Sequence, residues 1–191
     1  MTESEVKEIF VAAGAIMEGH FLLTSGLHSP VYVEKFNVLQ HPESTEKLCR
    51  ALAEQFRNDN IQTVVGPMTG GILLAHEVGK ALGTRAIFTE RENGRMTFRR
   101  GFALEKGERV LIVEDIVTTG GSVKEVIDVV RENGGVPVAV GMLVDRSGGK
   151  ANFGDVPYHA LLHLAVTTYE PKKCPLCEKG TPMTKRGRTG K

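Results

Sequence analysis

Four short apolar runs constrain this chain most: TVVG at 63–66, AIF at 86–88, RVLIV at 109–113 and VPVAVGMLV at 136–144. They are dominated by valine, leucine and isoleucine without polar alternation, the pattern of strands covered on both faces. Helical periodicity fills the gaps over about residues 71–82 and 122–133, the second ended by Gly134 and Gly135. Strand alternating with helix predicts an α/β fold with a central, mainly parallel sheet flanked by helices. The 191 residues fit one such domain and bury a core without disulfides or metal staples.

Upstream of this rhythm, residues 2–13 read as a helix, with Thr2 and Glu5 spaced as a capping box and Val6, Ile9, Phe10 and Ala13 on one face. HFLLTSGLHSPVYVEK, residues 20–35, reads as two extended runs around Ser25-Gly26, with Pro30 opening the second. A helix follows from about Pro42 to Phe56, where Leu48, Leu52 and Phe56 recur every four residues. The expected organisation of residues 1–191 is a single domain: a small hood mainly from residues 1–40, a core over about 41–165 and a polar tail over about 171–191. The end of that tail, KGTPMTKRGRTGK, is basic and glycine-rich and is expected to be mobile.

The 24 basic and 23 acidic residues give a formal net charge of +1, so no global field recruits nucleic acid or an anionic membrane. Apolar runs stay short of a membrane span, and MTESEVKEIF is a charged amphipathic start rather than a signal peptide; a cytoplasmic location is expected. Three cysteines, Cys49, Cys174 and Cys177, cannot complete a disulfide framework. Cys174 and Cys177 form CPLC, half of a zinc ligand set that Cys49 or His163 would have to complete. The plainer reading is two reduced thiols in a terminal turn.

The chemistry is concentrated in VLIVEDIVTTGGSV, residues 110–123. Ligands of open parallel sheets bind at the carboxyl ends of strands, and this segment leads from such an end into a helix N-terminus. Gly120 and Gly121 permit positive φ and close backbone approach, Thr118, Thr119 and Ser122 offer hydroxyl donors, and the first amides of the helix face the ligand. That is a nest for one phosphate, though neither a Walker motif nor GxGxxG. Two carboxylates, Glu114 and Asp115, repel an anion unless they serve a neutral part of the same ligand. Vicinal ribose hydroxyls fit, each donating to one carboxylate, with a divalent cation shared nearby.

The string VLIVEDIVTTGGS resembles the signature of the type I phosphoribosyltransferase family, in which an apolar strand, two acidic residues and a Thr/Gly loop bind the ribose 5-phosphate of phosphoribosyl pyrophosphate. The resemblance implies the fold of that family, with Glu114 and Asp115 on the ribose hydroxyls and Thr118 to Ser122 on the 5-phosphate. LTSGLHSPVYVEK, residues 23–35, resembles the N-terminal segment of the family's orotate members, and LVDR, residues 143–146, their orotate-contacting strand end. This implies that Arg146 takes the orotate carboxylate while Thr24, Ser25, Tyr32 and Thr118 lie on the base side. GPMTGG at 66–71 resembles the pyrophosphate loop, with Gly70 and Gly71 offering backbone amides.

TERENGRMTFRRGF, residues 89–102, sets Arg91, Arg95, Arg99 and Arg100 around an Asn93-Gly94 turn. It resembles the flexible catalytic loop of the family, which closes over pyrophosphate and reaches a neighbouring subunit's site. The chain departs from several orotate members at Thr24, Gly70 and Glu92, where they carry lysines, so pyrophosphate is expected to lean on Arg95, Arg99, Arg100 and Lys35. The implied catalytic set is Asp115 with Arg91, Arg95, Arg99 and Arg100, and no covalent nucleophile. The implied reaction is transfer of ribose 5-phosphate to N1 of orotate in pyrimidine synthesis, with Mg2+ carried by the substrate near Glu114 and Asp115 and a homodimer sharing its active sites. His28 lies in the orotate-like segment and is a candidate substrate contact. A purine or xanthine phosphoribosyltransferase, and a non-catalytic nucleotide-sensing regulator, are the alternative readings.

Overall fold

The computed structural model describes residues 1–185 and contains two sheets. The described residues form nine strands and six α-helices. They are α1 Glu3–Ala12, β1 Ile16–Leu22, β2 His28–Val33, α2 Phe36–Leu39, α3 Pro42–Glu54, β3 Thr63–Pro67, α4 Gly70–Leu82, β4 Arg85–Glu92, β5 Arg95–Phe98, β6 Arg109–Val117, α5 Gly121–Glu132, β7 Val136–Asp145, β8 Tyr158–His163, α6 Pro175–Glu178 and β9 Thr184–Lys185.

The larger sheet has the order β5-β4-β3-β6-β7-β8, parallel throughout except for the β4–β5 hairpin. The sequence pattern explains it directly. Along β3 and β6 alternate side chains enter two separate cores: Val64, Leu111 and Val113 join α1, α3 and α4, whereas Val65, Val110 and Ile112 join α5. Both faces are therefore apolar and both are covered. Val64, Val65, Leu111 and Ile112 are wholly buried, and truncating such a leucine or isoleucine to alanine costs about 2–5 kcal/mol.

Helix α1 begins at the expected capping box, Thr2 accepting from the Glu5 amide and Glu5 accepting from the Thr2 amide. Its buried residues Val6 and Phe10 pack into the main core, so α1 belongs to that layer and not to the hood. The hood is a second sheet of order β2-β1-β9. Its third strand comes from the other end of the chain: Phe21 and Leu22 pair with Thr184 and Lys185. The tail up to Lys185 is thus folded onto the hood, while residues 186–191 of the expected mobile segment lie outside the described residues. Pro30 sits inside β2 rather than opening it, opposite a bulge in β1 where a missing amide donor breaks no ladder bond.

Strand β3 is followed to one side by β4, whereas β6, β7 and β8 extend on the other. The chain therefore diverges between β3 and β6. Crevices at such a switch point, outside the carboxyl ends of the strands, are where open α/β sheets bind ligands.

Candidate active site

A cavity of about 850 Å³ opens at that point, walled by the ends of β3, β4 and β6 and roofed by the end of β2 with Thr184 and Lys185. Among the sequence candidates Tyr32, Lys35, Gly70, Arg91, Glu114, Asp115 and Ser122 line it. A smaller hollow of about 60 Å³, formed by residues 116–123 with Glu114, adjoins it. The two share Glu114, Ile116 and Ser122.

The acidic pair lies within β6 rather than after it, and strand geometry sends the two side chains to opposite faces. Asp115 follows the Leu111 and Val113 face towards α4, and Glu114 follows the Ile112 face towards α5. Asp115 meets Lys35 Nζ at 2.9 Å and 2.8 Å through its two oxygens, an ion pair across 80 residues of sequence. The Ile116 amide donates to Asp115 Oδ1 at 2.7 Å, and the Asp115 amide to Glu114 Oε1 at 3.0 Å.

Burial raises the Glu114 carboxyl to about 8, with the charge of Asp115 adding to the effect and Lys35 opposing it. Burial also raises Asp115, against the attraction of Lys35. For Lys35 burial acts downward, but the pull of Asp115 and Glu114 outweighs it and the ammonium lies above its ordinary value. The consequence for stability has a definite sign. A carboxyl raised from 4.5 to about 8 on folding contributes stability that is full below 4.5 and lost as pH rises through about 8. The melting temperature of the ligand-free protein is expected to fall between those values, and Glu114→Gln to flatten the slope; an unchanged slope in the variant would assign the titration elsewhere.

Beyond β6 the chain turns through Gly120, at φ 78°, into α5. A side chain at Gly120 would meet Phe153 Cε1 at 2.9 Å as well as an unfavourable φ. Gly121 has ordinary helical φ, so only the first of the two glycines supplies a left-handed residue. Helix α5 has no side-chain cap, and its first-turn amides face the hollow lined by Thr118, Thr119 and Ser122.

Across the cavity Gly66, Gly70 and Gly71 pack too tightly for side chains. A Cβ at Gly66 would lie 2.1 Å from the Gly71 carbonyl oxygen, and one at Gly70 would lie 1.8 Å from Asp115 Oδ2. Gly70 therefore makes room for the carboxylate, a role invisible in the sequence. Gly71 is packed behind the wall, its Cβ position 2.8 Å from Pro67 Cδ, and does not line the cavity.

Several candidates fall elsewhere. Thr24 and Ser25 are exposed at the hairpin turn, and Ser25 Oγ accepts from the Leu27 amide. The arginine segment is a folded hairpin held to the α5 core by buried Met96 and by Phe98, with Arg99 and Arg100 just beyond its second strand. Its arginines are paired within the chain: Arg91 with Glu125, Arg95 with Glu132, Arg99 with Glu90 and Glu92, and Arg100 with Glu90. Only Arg91 of the four reaches the cavity wall. Arg146 follows the end of β7, its amide donating to the Val117 carbonyl at 2.8 Å. It is not among the residues lining the cavity, and its buried Nε has no hydrogen-bond partner among the described residues. Burial lowers its pKa, with Tyr32 opposing. Sequence reasoning missed Thr69, Thr184 and Lys185, which line the cavity. The first follows a glycine-loop signal, but the last two arrive only because the tail docks on the hood.

Residues 37–156 match the family model described as phosphoribosyl transferase domain. The chain belongs to the phosphoribosyltransferase family. Its curated relatives include an orotate phosphoribosyltransferase of Desulforamulus reducens, 56% identical over 98% of this chain and 97% of that protein. Another, from Pelotomaculum thermopropionicum, is 52% identical over 98% of each chain. Among solved structures it is similar to the orotate phosphoribosyltransferase of Aeropyrum pernix, with a TM-score of 0.67 and 26% identity, covering 83% of this chain and 93% of that one.

Proposed function

We propose that the cavity transfers the ribosyl phosphate of phosphoribosyl pyrophosphate to N1 of orotate, giving orotidine 5-phosphate and pyrophosphate for pyrimidine synthesis. The observation that carries this is the placement of Glu114 and Asp115 on opposite faces of β6, immediately before the first-turn amides of α5. Two hydroxyl acceptors beside a phosphate nest suit a ribose 5-phosphate and little else. The full-length relatives named as orotate enzymes support the choice of base.

Breaking the C1 bond leaves an oxocarbenium-like sugar and a highly charged leaving group, so the residues act by position and charge. Glu114 and Asp115 orient the ribose, the α5 amides with Thr118, Thr119 and Ser122 hold the 5-phosphate, and Lys35 with Arg91 and the Gly70 loop faces pyrophosphate. Lys185 adds a further cation to this wall. The hard oxygen ligands that magnesium needs are present in Glu34, Glu114 and Asp115, but Asp115 is engaged by Lys35, which leaves the substrate's own oxygens as the main ligands. Held there, magnesium would neutralise leaving-group charge.

Arg146 is assigned to the orotate carboxylate through its unpartnered Nε. Arg146→Ala is expected to raise the Michaelis constant for orotate about 10- to 100-fold, the loss of a charge-assisted hydrogen bond, with a much smaller effect on phosphoribosyl pyrophosphate. Equal effects on both substrates in steady-state assays would mean general damage.

Arg99 and Arg100, at the end of the β4–β5 hairpin, serve the neighbouring site of a homodimer in this reading. Mixing equal amounts of an Arg146→Ala chain and an Arg99→Ala/Arg100→Ala chain then restores the activity of the mixture to about one quarter of wild type, because about half the dimers are hybrids and each hybrid has one of its two sites intact. No recovery on mixing would confine the hairpin to its own subunit. No helix among the described residues is long and apolar enough to cross a membrane. A cytoplasmic location agrees with three unpaired cysteines.

The deciding experiment is orotate depletion in the presence of phosphoribosyl pyrophosphate and magnesium, with adenine, hypoxanthine, xanthine and uracil as parallel bases. Turnover of orotate alone is expected. Turnover of a purine instead, or binding of phosphoribosyl pyrophosphate with no turnover, would overturn the assignment.

A further inference from the structure

His20, His28, Cys174 and Cys177 bring one ligand atom each within 4.8 Å of one another, although they come from opposite ends of the chain. His20 Nε2 lies 2.9 Å from His28 Nδ1, 3.6 Å from Cys174 Sγ and 3.7 Å from Cys177 Sγ, and His28 Nδ1 lies 3.3 Å from Cys177 Sγ. A tetrahedral zinc ion with Zn–S near 2.3 Å and Zn–N near 2.0–2.1 Å requires edges of about 3.3 Å between nitrogens and about 3.6 Å between nitrogen and sulfur. The three nitrogen–sulfur edges bracket their value, and the nitrogen–nitrogen edge of 2.9 Å is shorter than its own, so the two rings must part slightly to admit the ion. Three of the four residues are buried, Cys174 at 1% exposure, so these are not scattered surface groups. The expected partners of the CPLC pair are occupied elsewhere: Cys49 is buried in the main core, and His163 bonds Glu3.

The backbone builds the cluster deliberately. In β1 and β2 Glu18 pairs with Val31 but Phe21 pairs with Ser29, so β1 carries one extra residue between these pairs. Without that bulge His28 would share a face with Phe21, and His20 would point to the other side. With it, His20 and His28 share one face. The ring of His20 is fixed from behind, its Nδ1 donating to the Thr181 carbonyl at 2.9 Å, which turns the Nε2 lone pair towards the sulfurs. Reciprocal backbone bonds between His28 and Tyr169, and the pairing of Phe21 and Leu22 with Thr184 and Lys185, hold the same two segments together on either side.

We propose that His20 Nε2, His28 Nδ1, Cys174 Sγ and Cys177 Sγ bind one structural zinc ion that clamps residues 169–185 onto the hood and thereby sets Lys185 in the wall of the substrate cavity. Four protein ligands close the coordination sphere, which suits a structural ion and leaves no position for substrate. All four lie outside residues 37–156, the part matched by the family model, so the clamp is an addition to the shared transferase core. Binding of the ion does not depend on the substrate reading; the effect of Lys185 on pyrophosphate does.

The test is elemental analysis of the full-length protein purified without chelator, together with substitution by Co2+. One equivalent of zinc per chain is expected, and the cobalt form should show thiolate-to-metal charge transfer and the intense visible bands of a tetrahedral site. Cys177→Ser, an exposed position, should lose most of the metal while keeping its far-ultraviolet circular dichroism. Stripping the zinc from wild type should speed tryptic cleavage at Lys172, Lys173 and Lys179. Absence of zinc after refolding with zinc supplied, full zinc retention in Cys177→Ser, another metal in its place, or a Cys174–Cys177 disulfide detected by thiol titration would each overturn the proposal. If orotate turnover fails but one zinc is found, the clamp stands without the substrate assignment.

Discussion

Asp115→Asn is expected to lower kcat/KM for phosphoribosyl pyrophosphate about 100-fold, equivalent to about 2.7 kcal/mol. The carboxylate is 2% exposed and holds Lys35 through both oxygens. Breaking a buried pair by removing one partner costs about 3–5 kcal/mol, and the figure is reduced here because the Lys35 side chain remains 34% exposed to water. The amide also donates where a ribose hydroxyl should donate, so one of the two hydroxyl acceptors is lost. Stability should respond differently. Removing the Asp115 charge relieves the repulsion that helps to hold Glu114 near 8, so Glu114 ionises at lower pH in the variant. Steady-state kinetics beside a pH series of melting curves separates the two effects. Unchanged kcat/KM would end the assignment of Asp115 to the ribose.

Gly70→Ala should be at least as damaging, through a contact that no sequence motif announces. The added methyl would lie 1.8 Å from Asp115 Oδ2 and 3.0 Å from Cγ, inside any permissible approach. The backbone cannot retreat, because Gly66 and Gly71 already touch: a Cβ at Gly66 would be 2.1 Å from the Gly71 oxygen. The carboxylate must therefore swing away and release Lys35. A loss of about 100-fold or more in kcat/KM is expected, with about 1–3 kcal/mol of overpacking strain in a denaturant melt. The double variant Gly70→Ala/Asp115→Asn should be little worse than either single one, since both abolish the same arrangement. Additive losses would show that Gly70 acts elsewhere.

The core was readable from sequence because both faces of β3 and β6 are apolar, which leaves runs such as VLIV no other environment. Helix α1 was readable because Thr2 and Glu5 satisfy each other locally. Strand β8, YHALLH, escaped notice because its alternation is weak and it lies at the sheet's edge. At the site, Glu114, Asp115 and the Thr118–Ser122 loop are contiguous, so spacing alone groups them. The Lys35–Asp115 pair and the Gly70–Asp115 approach depend on how distant segments meet at the switch point. The two histidines were hidden more deeply: a one-residue bulge decides whether they face each other, and CPLC gives no hint of which partners the hairpin will present.

The arginines of the β4–β5 hairpin carry a consequence for ligand choice. Each arrives with a tethered counterion, Glu125, Glu132, Glu90 or Glu92. An approaching anion does not find bare positive charge; it must exchange with a carboxylate already in place. The exposed pairs on Glu92, Glu125 and Glu132 are each worth about 0–1 kcal/mol, so exchange there is easy to begin but gains little per charge, whereas Glu90 is buried and shares its carboxylate between Arg99 and Arg100. A monovalent ion merely swaps one neighbour for another. In the proposed shared site, a polyvalent leaving group that met several of these arginines would displace several carboxylates at once while losing the freedom of only one molecule, so a pre-neutralised hairpin would sort anions by valence.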